Sequence, residues 1–133
     1  MKVRGINMIE LKSGLLTNEH TRVFHEDEAD MEYNAPHHFT VKRAEYQGDS
    51  GVVADHFANI HFQEGPIKEC GVNGVCNEDL IAMVITRLEC FQKSEFACRE
   101  NAMAITKLEE AMLWLRKRTM GREQRGVEGT NQV

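Results

Sequence analysis

Nowhere does this chain carry 18 consecutive apolar residues, which removes a membrane-spanning helix from its expected features. Its first residues, "MKVRGINMIELKSG", alternate instead of forming an unbroken apolar stretch, so no secretory signal is expected. The cysteines Cys70, Cys76, Cys90 and Cys98 stand as C-x5-C and C-x7-C, spacings that match no common zinc or redox motif. Free thiols in a reducing cytoplasm are the expectation. The six histidines lack H-x-x-x-H and H-x-E spacing, and "HEDEADMEY" around His25 has neither EF-hand spacing nor a glycine hinge. No metal and no cofactor are expected, and that segment reads as a solvated acidic loop. G-x-S-x-G is absent, as is any Cys and His pair in a family signature, so the sequence does not point to an enzyme.

Basic residues are also in deficit, with a formal net charge of −5. A protein that coats nucleic acid would carry a broad basic excess, so any anion site must be local. One segment breaks the rule. Arg116, Lys117, Arg118, Arg122 and Arg125 crowd near the C-terminus against a single acid, Glu123. The last turn of a helix accounts for the first three, because cations there offset the helix dipole by about 0.3–1 kcal/mol. It does not account for Arg122 and Arg125 beyond Gly121.

What is present suits a folded protein: 133 residues, 41% hydrophobic and 28% charged, expected to form a single domain over residues 1–133. Residues 1–63 read as a β-rich part and 64–133 as a loop, a helical hairpin and a basic tail. Period-two stretches occur at residues 2–12, in "HHFTVKRAEY" and in "VVADHFANIHFQ", with a turn expected at "GDSG". In the second stretch Phe39 and Val41 fall on one face, His38, Thr40 and Lys42 on the other. Beyond residue 77 the period changes. Leu80, Val84, Leu88 and Phe91 form one helical stripe, widened by Ile81 and Ile85, with Asn77 as the expected cap. Ser94 is the expected cap of a second helix from Glu95, ending at Gly121. Its seam, Asn101, Ile105, Leu108, Met112 and Leu115, repeats as in a coiled coil. The fold class is therefore α+β: a small antiparallel β-sheet followed by a C-terminal antiparallel αα-hairpin. A lone hairpin leaves too much apolar stripe uncovered, so its helices must pack on the sheet, on a second copy, or on both; the wide stripe on the first helix favours a homo-oligomer.

Three features invite a functional reading, each beside a plainer one. The loop "EGPIKECGVNGVCNED" is rich in glycine and opens into a helix N-terminus, a geometry that suits an anion. The plainer reading is a sheet-to-helix connection, and without a phosphate-loop motif spacing alone favours it. Asn101 on an apolar seam either fixes helix register or reads the polar edge of a ligand. Phe91 is either core or a stacking platform for a flat ring.

The segments "GPIKECGVNGVCNEDLIAMVITRLECFQ", "ENAMAITKLEEAMLWLRKRT" and "RGVEGT", spanning roughly residues 62–130, together resemble the helical hairpin of phage anti-defence sponges. These are the Thoeris anti-defence sponge family and its smaller anti-CBASS relatives, and the β-rich segment points to the Thoeris branch. The resemblance implies a sponge that sequesters cyclic ADP-ribose isomers, with CBASS cyclic di- or trinucleotides as further ligands, and does not cleave them. It implies a homo-oligomer, commonly a hexamer built from dimers, in the host bacterial cytoplasm, with no membrane and no polymeric nucleic acid as partner. Phe91 and Asn101 fall where the family stacks adenine and hydrogen-bonds the ligand. Asn73 and Gly74, in a loop over residues 71–75, close part of that pocket. Arg118 and Thr119 fall where the family meets cyclic trinucleotides, and Arg122 and Arg125 extend that phosphate wall. A sponge working near nanomolar free signal needs about −12 kcal/mol per site, which calls for an enclosed, pre-formed pocket. The rival readings are an enzyme that degrades the same signals and a nucleic-acid-binding accessory protein that uses the basic tail.

Overall fold

The computed structural model describes residues 2–3, 5–44 and 56–133. The expected "GDSG" turn and residues 52–55 of the last predicted strand lie outside the described residues. The chain is α+β, as the periodicities require. Its residues gather into two compact units: residues 1–65 with 72–74, and residues 66–71 with 75–133.

In the first unit the described residues form five strands: β1 (Lys2–Val3), β2 (Ile6–Glu10), β3 (Thr21–Glu26), β4 (His38–Arg43) and β5 (His56–His61). They neighbour one another in chain order, each pair antiparallel. Strand β3 has no counterpart among the predicted elements. Its alternation is masked because one of its inward positions is a carboxylate. Glu26 pairs with Met8 across β2 and is only 1% exposed. The reading of this stretch as a solvated acidic loop is thus corrected at its start, where His25 and Glu26 close a strand. Glu28–Asp30 follows as a single 3-10 turn capped by the Asp27 carboxylate, which accepts from Ala29 N–H at 3.2 Å.

The registers sort the sheet into two faces. Met8, Glu26, His38, Thr40, Asn59 and His61 share one; Ile9, Val23, His25, Phe39, Val41 and Ile60 share the other. The division expected for β4 is therefore present, but the polar face is the more deeply buried. Thr40 is 2% exposed, and its hydroxyl donates to the Asn59 side-chain oxygen on β5 at 3.1 Å. A hydroxyl taken from water is costly unless it finds such a partner. On the apolar face Phe39 meets Phe62 edge-on, with ring centroids 5.4 Å apart.

The second unit holds α1 (Ile67–Cys70), α2 (Asn77–Gln92) and α3 (Arg99–Gln124). Helix α2 ends at Gln92, before the break expected at Lys93-Ser94, while its start and both ends of α3 differ from their expected places for local reasons. Asn77 is the first residue of α2, and Cys76 precedes it as the cap; the Asp79 carboxylate accepts from Cys76 N–H at 2.8 Å. Ser94 caps no helix. Its hydroxyl donates to the Phe91 carbonyl at 2.6 Å and accepts from Phe96 N–H at 3.1 Å, which holds it in the turn. The Gln92 amide then clasps Cys98, accepting from its N–H at 3.0 Å and donating to its carbonyl at 2.9 Å, so α3 starts only at Arg99. Gly121 lies within α3. The stop is Gly126, at φ 73°, where Gly126 N–H bonds to Glu123 and Val127 N–H to Arg122 in a Schellman arrangement.

Asn101, Ile105, Leu108, Met112 and Leu115 are all half-buried, in agreement with their seam. On α2 the stripe divides. Leu80, Ile81, Ile85 and Leu88 are half-buried, while Val84 and Phe91 are exposed. Neither long helix holds a single fully buried residue.

Candidate functional site

The hairpin sets its candidate residues at two ends. Phe91 stands in the last turn of α2 and Asn101 in the first turn of α3, so the 93–98 turn brings both to one end. Phe91 is 38% exposed, a large share for an aromatic on an apolar stripe. One turn before it, Arg87 places its guanidinium 5.2 Å from the Phe91 ring centroid. An arginine so placed is attracted by the ring face and carries an anion-binding fork. Sequence reasoning missed Arg87, although its i, i+4 spacing from Phe91 was the signal. Asp79, Ala82, Met83, Thr86 and Cys90 line an open groove along the same side of α2 as Arg87.

Arg118 and Thr119 lie near the other end. Seventeen residues of helical rise separate Arg118 from Asn101, about 25 Å. A ligand the size of one nucleotide pair cannot touch both within one protomer, so the two residue groups are separate on this unit.

The tail arginines divide by occupation. The Arg122 guanidinium donates to the carbonyls of Val127 at 3.0 Å and Thr130 at 3.1 Å. Arg125 donates to the carbonyls of Gly121 at 3.3 Å and Val133 at 3.1 Å. Both fasten the chain that follows α3 back onto it. Arg116 pairs with Glu123 at 3.5 Å. Arg118 is exposed, while the Thr119 hydroxyl donates to the Leu115 carbonyl at 3.2 Å.

Asn73 and Gly74 belong to the sheet unit. The Asn73 side-chain oxygen accepts from Glu64 N–H and its nitrogen donates to the Glu64 carbonyl, both at 2.8 Å. Its own N–H donates to the Gln63 side-chain oxygen at 3.0 Å. Asn73 thereby serves the Glu64 backbone as a neighbouring strand would. At Gly74 an added Cβ would come to 2.5 Å from the carbonyl oxygen of His61. Both residues are occupied within the sheet unit.

Among the described residues, Glu26 and Cys76 have shifted acidities. Burial by itself would raise the Glu26 carboxyl; bonds from His37 N–H at 2.5 Å, the His38 imidazole at 3.0 Å and His38 N–H at 2.8 Å outweigh it and hold the group below its ordinary value. The Cys76 thiol is pushed up, first by burial and then by the Asp79 and Glu78 carboxylates. It stays protonated at neutral pH, which disfavours a nucleophilic role.

Fold and site define a two-part protein: a strand-built unit and a helical hairpin with a half-open aromatic–arginine face. Residues 54–120 match the family model described as "Acb2/Tad1, hairpin domain". A protein of Bacillus phage SBSphiJ7 named Thoeris anti-defense 1 is 58% identical, over 94% of this chain and 99% of its own length. The chain belongs to the Thoeris anti-defense 1 family.

Proposed function

We propose that this chain is a phage anti-defence sponge, holding cyclic ADP-ribose isomer signals of Thoeris immunity in the infected host's cytoplasm without cleaving them. The observation that carries the reading is the aromatic–arginine pair Arg87 and Phe91, with Asn101 at the same end of a hairpin matching the Acb2/Tad1 family model. An adenine face, ribose hydroxyls and a pyrophosphate call for an aromatic platform, an amide and a cationic fork. Arg118 and Thr119, at the other end of the hairpin, are the proposed contacts for CBASS cyclic oligonucleotides.

Association completes the proposal. Met83, Val84, Met103, Leu113, Trp114 and Met120 are all exposed large apolar side chains on α2 and α3. Such an area needs covering, and further copies of the hairpin would cover it, as in a hexamer built from dimers. Walls shared between protomers would enclose a ligand that one open groove cannot. No described helix is long and apolar enough to cross a membrane.

The test is direct. The protein is loaded with 1″–3′ or 1″–2′ glycocyclic ADP-ribose and heat-denatured, and the small molecule is then analysed. Intact ligand is the expected result. A smaller product would make the protein an enzyme, and salt-dependent retardation of DNA without signal binding would make it a nucleic-acid-binding accessory.

A further inference from the structure

The geometry points to a divalent transition-metal site of the zinc type in the sheet unit, held by His38, His61 and Glu64, with Glu26 behind His38. This site is independent of the proposed signal pocket. Its origin is the strand register. Phe62 N–H donates to the His37 carbonyl at 2.8 Å, so the next pair, His38 and His61, occupies a position without cross-strand hydrogen bonds. Side chains approach most closely at such positions. The two imidazoles accordingly stack, with centroids 4.3 Å apart and planes 9° from parallel.

A carboxylate stands at each ring. Glu26 Oε1 accepts from His38 Nδ1 at 3.0 Å and Glu64 Oε2 accepts from His61 Nε2 at 3.1 Å. An ionised carboxylate only accepts, so Glu26 fixes the proton of His38 on Nδ1 and leaves the lone pair on Nε2. A buried carboxylate behind the far nitrogen is how metal-ligating histidines are commonly oriented. One ligand atom from each of His38, His61 and Glu64 lies within 4.8 Å of the others. Ligands about 2.1 Å from one tetrahedral ion stand about 3.4 Å apart, so the three groups are gathered but close on an ion only when a side chain turns.

The ion would stand between His61 Nε2 and Glu64 Oε2, the His61 proton passing to Nδ1. Imidazole lone pairs lie in the ring plane, so one ring must turn out of the stack for His38 Nε2 to reach the same ion. The cavity beside these rings, about 140 Å³ and lined by Met8, Thr40, His56 and Asn59, gives the ring room to turn. Two imidazoles and one carboxylate suit zinc over calcium or magnesium. Three protein ligands leave the fourth position to water or to an anionic ligand.

The full chain, stripped with chelator, is titrated with Zn²⁺ by calorimetry and with Co²⁺ by absorption. A stoichiometric site is expected, whose Co²⁺ spectrum lacks a thiolate charge-transfer band. It should survive replacement of all four cysteines by serine and vanish in His38→Ala/His61→Ala. Glu26→Gln, acting through His38, should weaken it about 10–100-fold. Because these variants could disturb the sheet, imidazole NMR of the wild-type chain gives a second reading, with the His38 and His61 resonances shifting on Zn²⁺ addition. Unmoved resonances, absent binding, or binding that follows the cysteines would each overturn the site.

Discussion

Arg87 and Phe91, one helical turn apart on α2, hold a guanidinium 5.2 Å from an aromatic centroid on a helix that buries no residue. The pair is neither core nor a conventional ion pair, and a proposed binding face follows from it. Phe91→Ala should weaken binding of glycocyclic ADP-ribose by about 1–3 kcal/mol, the usual worth of a stacked base. Arg87→Ala should cost about 0.5–2 kcal/mol. Calorimetry reads both, with light scattering to check assembly. Dissociation of either variant into smaller species would make that residue an interface residue instead.

The basic tail yields a contrast between neighbours. Arg122→Ala removes two charge-assisted bonds to the Val127 and Thr130 carbonyls and should loosen residues 126–133, at about 1 kcal/mol given their partial exposure. Arg118→Ala should leave thermal stability unchanged and selectively weaken cyclic trinucleotide binding. Amide hydrogen exchange across the tail separates the two. Equal loss of every ligand in Arg118→Ala would contradict two separate sites.

Gly74 should be intolerant for a packing reason. Its missing Cβ would stand 2.5 Å from the His61 carbonyl oxygen, backbone that cannot yield cheaply. Gly74→Ala is therefore expected to lower the melting temperature of the sheet unit, with a cost in the range of about 1–3 kcal/mol typical of overpacking. Asn73→Ala should act in the same direction by unpairing the Glu64 backbone. If both variants keep wild-type stability and lose ligand, the loop is a binding element after all.

Acid should release the sheet unit through Glu26. Its carboxyl is lower in the folded chain than the ordinary unfolded value of about 4.3, so its contribution is complete above that pH. It is lost as pH falls further, through the folded value. Near-neutral denaturant melts should show Glu26→Gln destabilised by about 1–3 kcal/mol, because a side-chain amide cannot satisfy three donors as a carboxylate does. The variant should also lose part of the wild-type acid slope below about pH 4.3. An unchanged slope would place the acid response on other carboxylates.

The sequence by itself determined the class of structure. Period two gave way to period 3.6 near residue 77, and that change alone required strands followed by a hairpin. The α3 seam from Asn101 to Leu115 was legible for the same reason, since repeating apolar spacing depends only on the chain. Local competition moved the helix ends. Gln92 and Ser94 build the turn with their side chains, and Gly126, not Gly121, takes the left-handed position.

Only the tertiary structure decided the rest, because it depends on partners distant in sequence. Strand β3 was hidden by Glu26, a charge at a buried position that is tolerable only with three donors from His37 and His38 around it. No linear spacing links His38 to His61; the β4–β5 register does. The same holds for the basic tail. Sequence showed five cations in ten residues, but Arg122 and the exposed Arg125 bond back to backbone carbonyls, whereas Arg118 is exposed with no such bond among the described residues. Composition counts charges, whereas only packing determines which of them remain free to meet a ligand.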